Sequence, residues 1–320
     1  YYCTNNAKED YQFKAPVTAW DESSSRAHWN KRPTAAPFFA VFNFMETHES
    51  QVWSQADEPL RVAPTRVPLP PYYPDTPVVR TDVARYYDNI AHMDALLGER
   101  LRELEDAGLL ASTIVVFYAD HGAGLPRQKR EVYDSGLRVP LIVRFPDLRG
   151  AGTRSDELVS LMDLGPTVLS LAGVKVPEHM DGQPFLGPQK KAARSYVFAS
   201  RDRMDADLDT VRAVRDERWK YVRYYHRHKP FFQNIAFRRQ QGIVRELEEL
   251  ATRGQLTGPP AALFRATKPA EELFDTAADP HEVRNRAGDA SLAAVLERLR
   301  AALDAWEREE HDWGLVPEPE

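Results

Sequence analysis

Three short apolar runs punctuate the first half of the chain, each bounded by polar or turn-forming residues. The first, Phe38-Phe39-Ala40-Val41-Phe42-Asn43-Phe44, follows Pro37. The second is Thr113-Ile114-Val115-Val116-Phe117-Tyr118-Ala119, and the third, Val139-Pro140-Leu141-Ile142-Val143-Arg144-Phe145, follows a glycine turn at Gly136. Runs of this length without alternation predict strands covered on both faces. Between the first two, Val83, Tyr86, Tyr87, Ile90, Met93, Leu97, Leu101 and Leu104 recur at three- and four-residue steps. That spacing predicts one long amphipathic helix, capped by Thr81 and stopped at Gly108. Leu161 to Gly173 predicts another helix, provided Pro166 lies in its first turn. Residues 59–77 hold seven prolines and are expected to form an ordered extended loop, because proline has no N–H to give to a helix or a central strand. Buried strands alternating with helices predict an α/β fold, a central mainly parallel sheet flanked by helices.

The pattern changes near residue 190. Tyr196–Ser200, Thr210–Val214 and Trp219–Arg223 alternate apolar with polar or charged residues, and the last two are joined by the short charged turn 215–218. This predicts a hairpin solvated on one face. A charged helix near Val244–Leu250 and a closing helix around Leu292–Trp306 complete a small α+β layer. Two domains are therefore expected, residues 1–189 as the main α/β core and 190–320 as a C-terminal subdomain with an antiparallel sheet.

Composition narrows the function classes. With 320 residues, 42% hydrophobic and 28% charged, the chain can bury a sizeable core without a disulfide or metal staple. A formal charge of −6 argues against a nucleic-acid partner. No apolar run approaches the roughly 18 residues of a membrane span. The single cysteine, Cys3, excludes internal disulfides and Cys-based zinc sites.

Ligands of open α/β sheets bind beyond the carboxyl ends of the strands. The first run ends near His48 and the second in Asp120-His121-Gly122. Asp120 and His121 are a carboxylate and an imidazole suited to a divalent cation, although two ligands do not complete a coordination shell. Each also has a plainer reading: a turn with a satisfied carboxylate, a histidine bonded to a loop carbonyl, and for Lys129 a solvated side chain in the basic stretch Arg127-Gln128-Lys129-Arg130.

In order, Asp120-His121-Gly122, Lys129 and Gly136-Leu137-Arg138-Val139-Pro140 resemble the type I sulfatase family of the alkaline-phosphatase superfamily. The segment Asp163-Leu164-Gly165-Pro166-Thr167 resembles its Asp-x-x-Pro-Thr helix. Glu271-Glu272-Leu273-Phe274-Asp275, followed by Asp279-Pro280-His281-Glu282, resembles its C-terminal signature. The opening Tyr1–Tyr11 looks closest to the heparan N-sulfatase-like bacterial branch. The resemblance implies an alkaline-phosphatase-like sandwich and a hydrolase of sulfate esters or sulfamates on carbohydrates such as glycosaminoglycans. It also implies one divalent cation on Asp120 and His121, calcium, with manganese or magnesium as alternatives. Lys129 and Lys8 would contact the sulfate, and His48 would serve the leaving group as a general acid. The family's Gly-Lys-x-His histidine is replaced by Asp10.

The family's nucleophile is a cysteine converted to formylglycine in a Cys-x-Pro-Ser-Arg or Cys-x-Ala-x-Arg context. Cys3 is followed by Thr4-Asn5-Asn6-Ala7 and does not match it. The nucleophile and further metal ligands are expected in an upstream segment, so that these 320 residues alone are expected to be inactive. A phosphonate or phosphodiester hydrolase of the same superfamily and a non-catalytic protein binding anionic glycans are the competing readings. Arg227 and His228, in a basic and aromatic cluster, are candidate contacts to an anionic sugar. Periplasmic or secreted location is expected from the family, and the oligomeric state is left open.

Overall fold

A computed structural model describes residues 1–204 and 207–316. Strand β1 (Tyr2–Asn6) lies between β2 (Glu22–Ser23) and β3 (Phe38–Phe42), with both pairings parallel. The short helix α1 (Ser50–Ser54) follows β3, and the proline-rich loop then buries Tyr72 and Tyr73 before α2 (Pro77–Asp106) begins. The cap of α2 is Thr76, not Thr81. The Thr76 hydroxyl accepts the Val79 N–H at 3.3 Å, and Pro77 takes the first helical position, where no N–H is needed. Gly108 ends the helix as expected, with a left-handed φ of 67°.

The next two apolar runs become β4 (Val115–Tyr118) and, after the single turn α3 (Asp134–Leu137), β5 (Leu141–Arg144). They pair antiparallel, so the parallel arrangement holds for the first sheet and not for this pair. The reason lies in their connection, a loop with one helical turn, where a parallel return needs a full crossover. Helix α4 (Leu164–Leu171) starts late enough for Pro166 to sit in its first turn. Asp163 is 1% exposed and accepts the backbone N–H groups of Ser160 and Gln183, so the Asp-x-x-Pro-Thr segment works as a helix entry.

The last sheet runs β6 (Val197–Met204), β7 (Asp207–Arg215), β8 (Trp219–Tyr224) and, beyond α5 (Gly242–Thr252) and α6 (Gly258–Ala262), β9 (Glu271–Asp275), all antiparallel. Helix α7 (Ala293–Glu309) covers one face, packing Leu296, Leu299 and Leu303 on Val214, Tyr221 and Leu273. Val132 and Tyr133, just ahead of α3, pack on the other face against Val211, Val222 and Phe274. The expectation of a solvated face is therefore overturned. Arg212 and Lys220 are each 1% exposed, because acids reach them: Asp202 and Asp312 for Arg212, Asp134 and Glu282 for Lys220. The reverse holds for the earlier apolar runs. No residue of β3, β4 or β5 is fully buried, and Ile142 is 60% and Tyr118 43% exposed.

Candidate active site

The segment from Gly122 to Gly136 folds into a loop whose shape is determined from several sides. Gly122 donates its N–H to the Gly136 carbonyl at 2.8 Å, closing the loop at its base. Tyr73 Oη donates to Pro126 O, and Gln128 Nε2 donates to the hydroxyls of Tyr72 and Tyr73 at 3.2 and 3.3 Å. Here the proline-rich segment shows its use, as a buried buttress. From the C-terminal side, Arg127 donates to the carbonyls of His281 and Glu282 at 3.1 and 2.6 Å and lies 3.9 Å from the Tyr133 ring centroid. Arg127 and Arg130 adopt φ of 60° and 74°, a left-handed backbone that non-glycine residues hold only where surroundings over-determine it.

This loop delivers Lys129 and Arg130 to one carboxylate. Glu49, 1% exposed, accepts Lys129 Nζ at 2.8 Å and both terminal nitrogens of Arg130 at 2.9 and 2.5 Å. Burial alone would raise the Glu49 pKa, but the two cations outweigh it and hold the carboxyl below its ordinary range. Gly124 permits the approach. A Cβ there would stand 2.7 Å from Glu49 Cβ and 2.8 Å from its Cα. Glu49 directly follows His48, so the end of β3 and the cation loop are locked together by charge.

His48 is half-buried. Its Nδ1 accepts the Ser50 N–H at 3.3 Å and lies 2.8 Å from the Ser50 hydroxyl. A backbone N–H can only donate, which assigns the neutral ring its proton on Nε2. Burial, then the positive charges of Lys129 and Lys8 beside the His121 ring, push His48 below the usual histidine range against the pull of Glu49. The fold thus gathers four of the sequence candidates, His48, Lys129, Lys8 and His121, within electrostatic reach of each other.

Asp120 and His121 sit on the turn after β4. The His121 Nδ1 donates to the Gly122 carbonyl at 2.7 Å, which leaves Nε2 as the bare lone pair of a neutral ring, 3.7 Å from Asp120 Oδ1. A ring oriented through its other nitrogen beside an exposed carboxylate is the donor arrangement that a divalent cation uses. The pair fits a cation but does not complete a shell, since no cluster of three or more His, Cys, Asp or Glu suited to a metal occurs among the described residues. Lys8 lies between two acids, 3.0 Å from Asp10 and 3.9 Å from Asp120. Buried Asn5 orients it, donating to Lys8 O at 3.1 Å while accepting Asn43 Nδ2 at 3.0 Å.

Arg227 and His228 lie exposed on the turn after β8, where the Arg227 carbonyl accepts the Lys268 N–H. The His228 ring meets that of His226 edge-on, with centroids 6.0 Å apart. Cys3 is inside β1 opposite Phe39, and burial and nearby Asp21 raise its pKa, so it is no activated nucleophile. It does not fit the place of a formylglycine. Sequence reasoning missed Glu49 as the anchor of the cations. The only signal was a carboxylate adjoining the candidate histidine.

The α/β scaffold thus brings two lysines, a histidine and a carboxylate–imidazole pair within electrostatic reach of one another. The same fold occurs in a putative sulfatase from Bacteroides thetaiotaomicron, at TM-score 0.61 and 20% identity over 90% of this chain and 62% of that one. It also occurs in the phosphonate monoester hydrolase of Agrobacterium radiobacter, at TM-score 0.61 and 21% identity over 90% of this chain and 59% of that one. Residues 7–174 match the sulfatase family, and residues 126–234 match the C-terminal region of N-sulphoglucosamine sulphohydrolase. The chain belongs to the sulfatase family. It is 43% identical to an ulvan-active sulfatase of Formosa agariphila across 100% of this chain and 60% of that protein. Against human N-sulphoglucosamine sulphohydrolase the identity is 33%, across 82% of this chain and 54% of that protein. The chain thus spans little more than half the length of these relatives.

Proposed function

We propose that the protein hydrolyses sulfate esters or sulfamates of carbohydrates, within a polypeptide that supplies the nucleophile. The observation that carries this reading is the triple arrangement at Glu49: Lys129 and Arg130 anchored on a buried carboxylate, next to His48. A preorganised cation at a strand end stabilises the growing charge of a sulfuryl group at little reorganisation cost. Lys8 and Lys129 bind the non-bridging oxygens. His48, neutral and protonated on Nε2, gives its N–H to the bridging atom. That sharpens the expected general acid into a hydrogen-bond donor, because the Ser50 N–H and the surrounding positive charge both disfavour an imidazolium.

Asp120 and His121 would hold a divalent cation, with calcium proposed because the Asp120 carboxylate is a hard oxygen ligand. Such an ion supplies Lewis-acid polarisation of the sulfate oxygens. Sulfated polysaccharides are the proposed substrate class, supported by the names of both relatives, and an exported location goes with it, since such polymers are met outside the cell. The fold does not separate this reading from phosphonate hydrolysis, whereas the two family matches favour sulfate.

The test is sulfate release from ulvan and from N-sulfoglucosamine oligosaccharides by the full-length protein. Release that chelation abolishes and calcium restores is expected, and Lys129→Ala should lower kcat/KM by about a hundredfold or more. Faster turnover of an aryl phosphonate than of every sulfate ester would overturn the assignment.

A further inference from the structure

Beside His48 lies an exposed aromatic ring that none of the chemistry above uses. Phe237 is 42% exposed, with its centroid 6.3 Å from the His48 ring and 5.1 Å from Trp53, which meets it edge-on at 77°. A lone exposed phenylalanine is ordinary. This one is held on a turn whose neighbouring side chains are buried. Ile235, Arg238 and Gln241 around it are 1%, 4% and 1% exposed, and Gln241 Nε2 donates to the Gly124 carbonyl of the cation loop at 2.6 Å. Arg238 lies 3.9 Å from the Phe232 ring centroid. The turn is therefore pinned on both sides of Phe237, yet its ring is left facing outward. Trp53 follows His48 by one helical turn and a residue, so α1 supplies the support while the segment after β8 supplies the platform.

We propose that Phe237, supported by Trp53, is a stacking platform for a sugar ring of the substrate, and that it sets the preference for carbohydrate sulfates over the bare anion. The inference rests on the carbohydrate-sulfate reading above and extends it. Aromatic rings bind the apolar C–H face of a pyranose, while Lys129 and Lys8, whose charges reach the neighbouring His48, take the sulfate. Division of labour follows from chemistry: cations read the charged group and Phe237 reads the ring that carries or adjoins it. A rigid platform loses little conformational entropy when the sugar settles.

The experiment measures binding of an ulvan-derived sulfated disaccharide and of inorganic sulfate to the full-length protein with calcium, by calorimetry, alongside the disaccharide KM. Phe237→Ala should weaken the disaccharide about tenfold, in Kd and in KM, and leave the inorganic sulfate Kd unchanged. Phe237→Tyr should restore disaccharide affinity. Equal weakening of disaccharide and sulfate would show that Phe237 only supports the cation loop, and an unchanged disaccharide Kd would show that no ring rests on it. Either result overturns the platform. If the wild-type protein binds the disaccharide through Phe237 but releases no sulfate, the hydrolase reading fails while the platform stands.

Discussion

The strands before residue 190 and the sheet after it exchange the environments their residue patterns call for. The runs that become β3, β4 and β5 are almost wholly apolar, yet they remain half-buried, with Ile142 60% exposed. Strands β7 and β8 carry charges at alternate positions, yet Arg212 and Lys220 are 1% exposed. Burial in the second region follows from partners far along the chain. Lys220 meets Asp134 at 2.5 Å and Glu282 at 2.9 Å, and donates to the Val132 carbonyl at 3.2 Å. A hydrophobic pattern thus states which face a strand is able to bury, and the other elements decide whether it does.

The largest effect that would break the contrast is expected at Lys220. Replacing it with Met leaves Asp134 and Glu282 buried without their shared cation, and urea denaturation should show a loss of about 3–5 kcal/mol. A loss below about 1 kcal/mol would mean that the face is solvated after all. Leu273→Ala, at a position 0% exposed between α7 and the sheet, should cost about 2–5 kcal/mol. Ile142→Ala, on a strand that these 320 residues leave half in water, should cost them less than about 1 kcal/mol. A comparable cost at both positions would erase the difference between the regions.

A smaller and more local effect is expected on acidification. The Glu49 carboxyl has a folded pKa below its unfolded value, so its contribution is present above the unfolded carboxyl range and is lost as the pH falls through the folded pKa. Glu272 behaves oppositely. Burial raises its pKa against the hydrogen bonds of Tyr224 and Tyr133, so its contribution is present in acid and declines as pH rises through the folded value. Amide exchange should therefore show the 122–131 loop losing protection as the pH falls through the folded Glu49 pKa. Unchanged protection of the loop through that range would dismiss the role of Glu49.

Much of the candidate site was legible along the chain, because the ends of apolar runs are where ligands of α/β sheets bind. Asp120, His121 and His48 were identifiable on that ground, and Lys129 and Lys8 by motif resemblance. Glu49 and Phe237 were not. Glu49 gains its role only when a loop 80 residues later folds onto it, with Lys129 at 2.8 Å. Phe237 matters only because the turn it occupies crosses to Trp53. Arg227 and His228 were singled out by a basic, aromatic composition, and the fold places them on an exposed turn after β8, where His228 meets the His226 ring edge-on.

Sequence alone determined what is set by neighbours a few residues apart: the long helix and its glycine stop, the helix carrying Pro166 in its first turn, and the runs that become β3 to β8. Local backbone preference and side-chain periodicity act over one or two turns, so they can be read in place. Tertiary structure alone decided the direction of β5, the burial of Arg212 and Lys220, and the anchoring of two cations on Glu49. Charge pairing and strand pairing join residues distant in the chain, and their energy depends on the dielectric that the assembled fold creates around them.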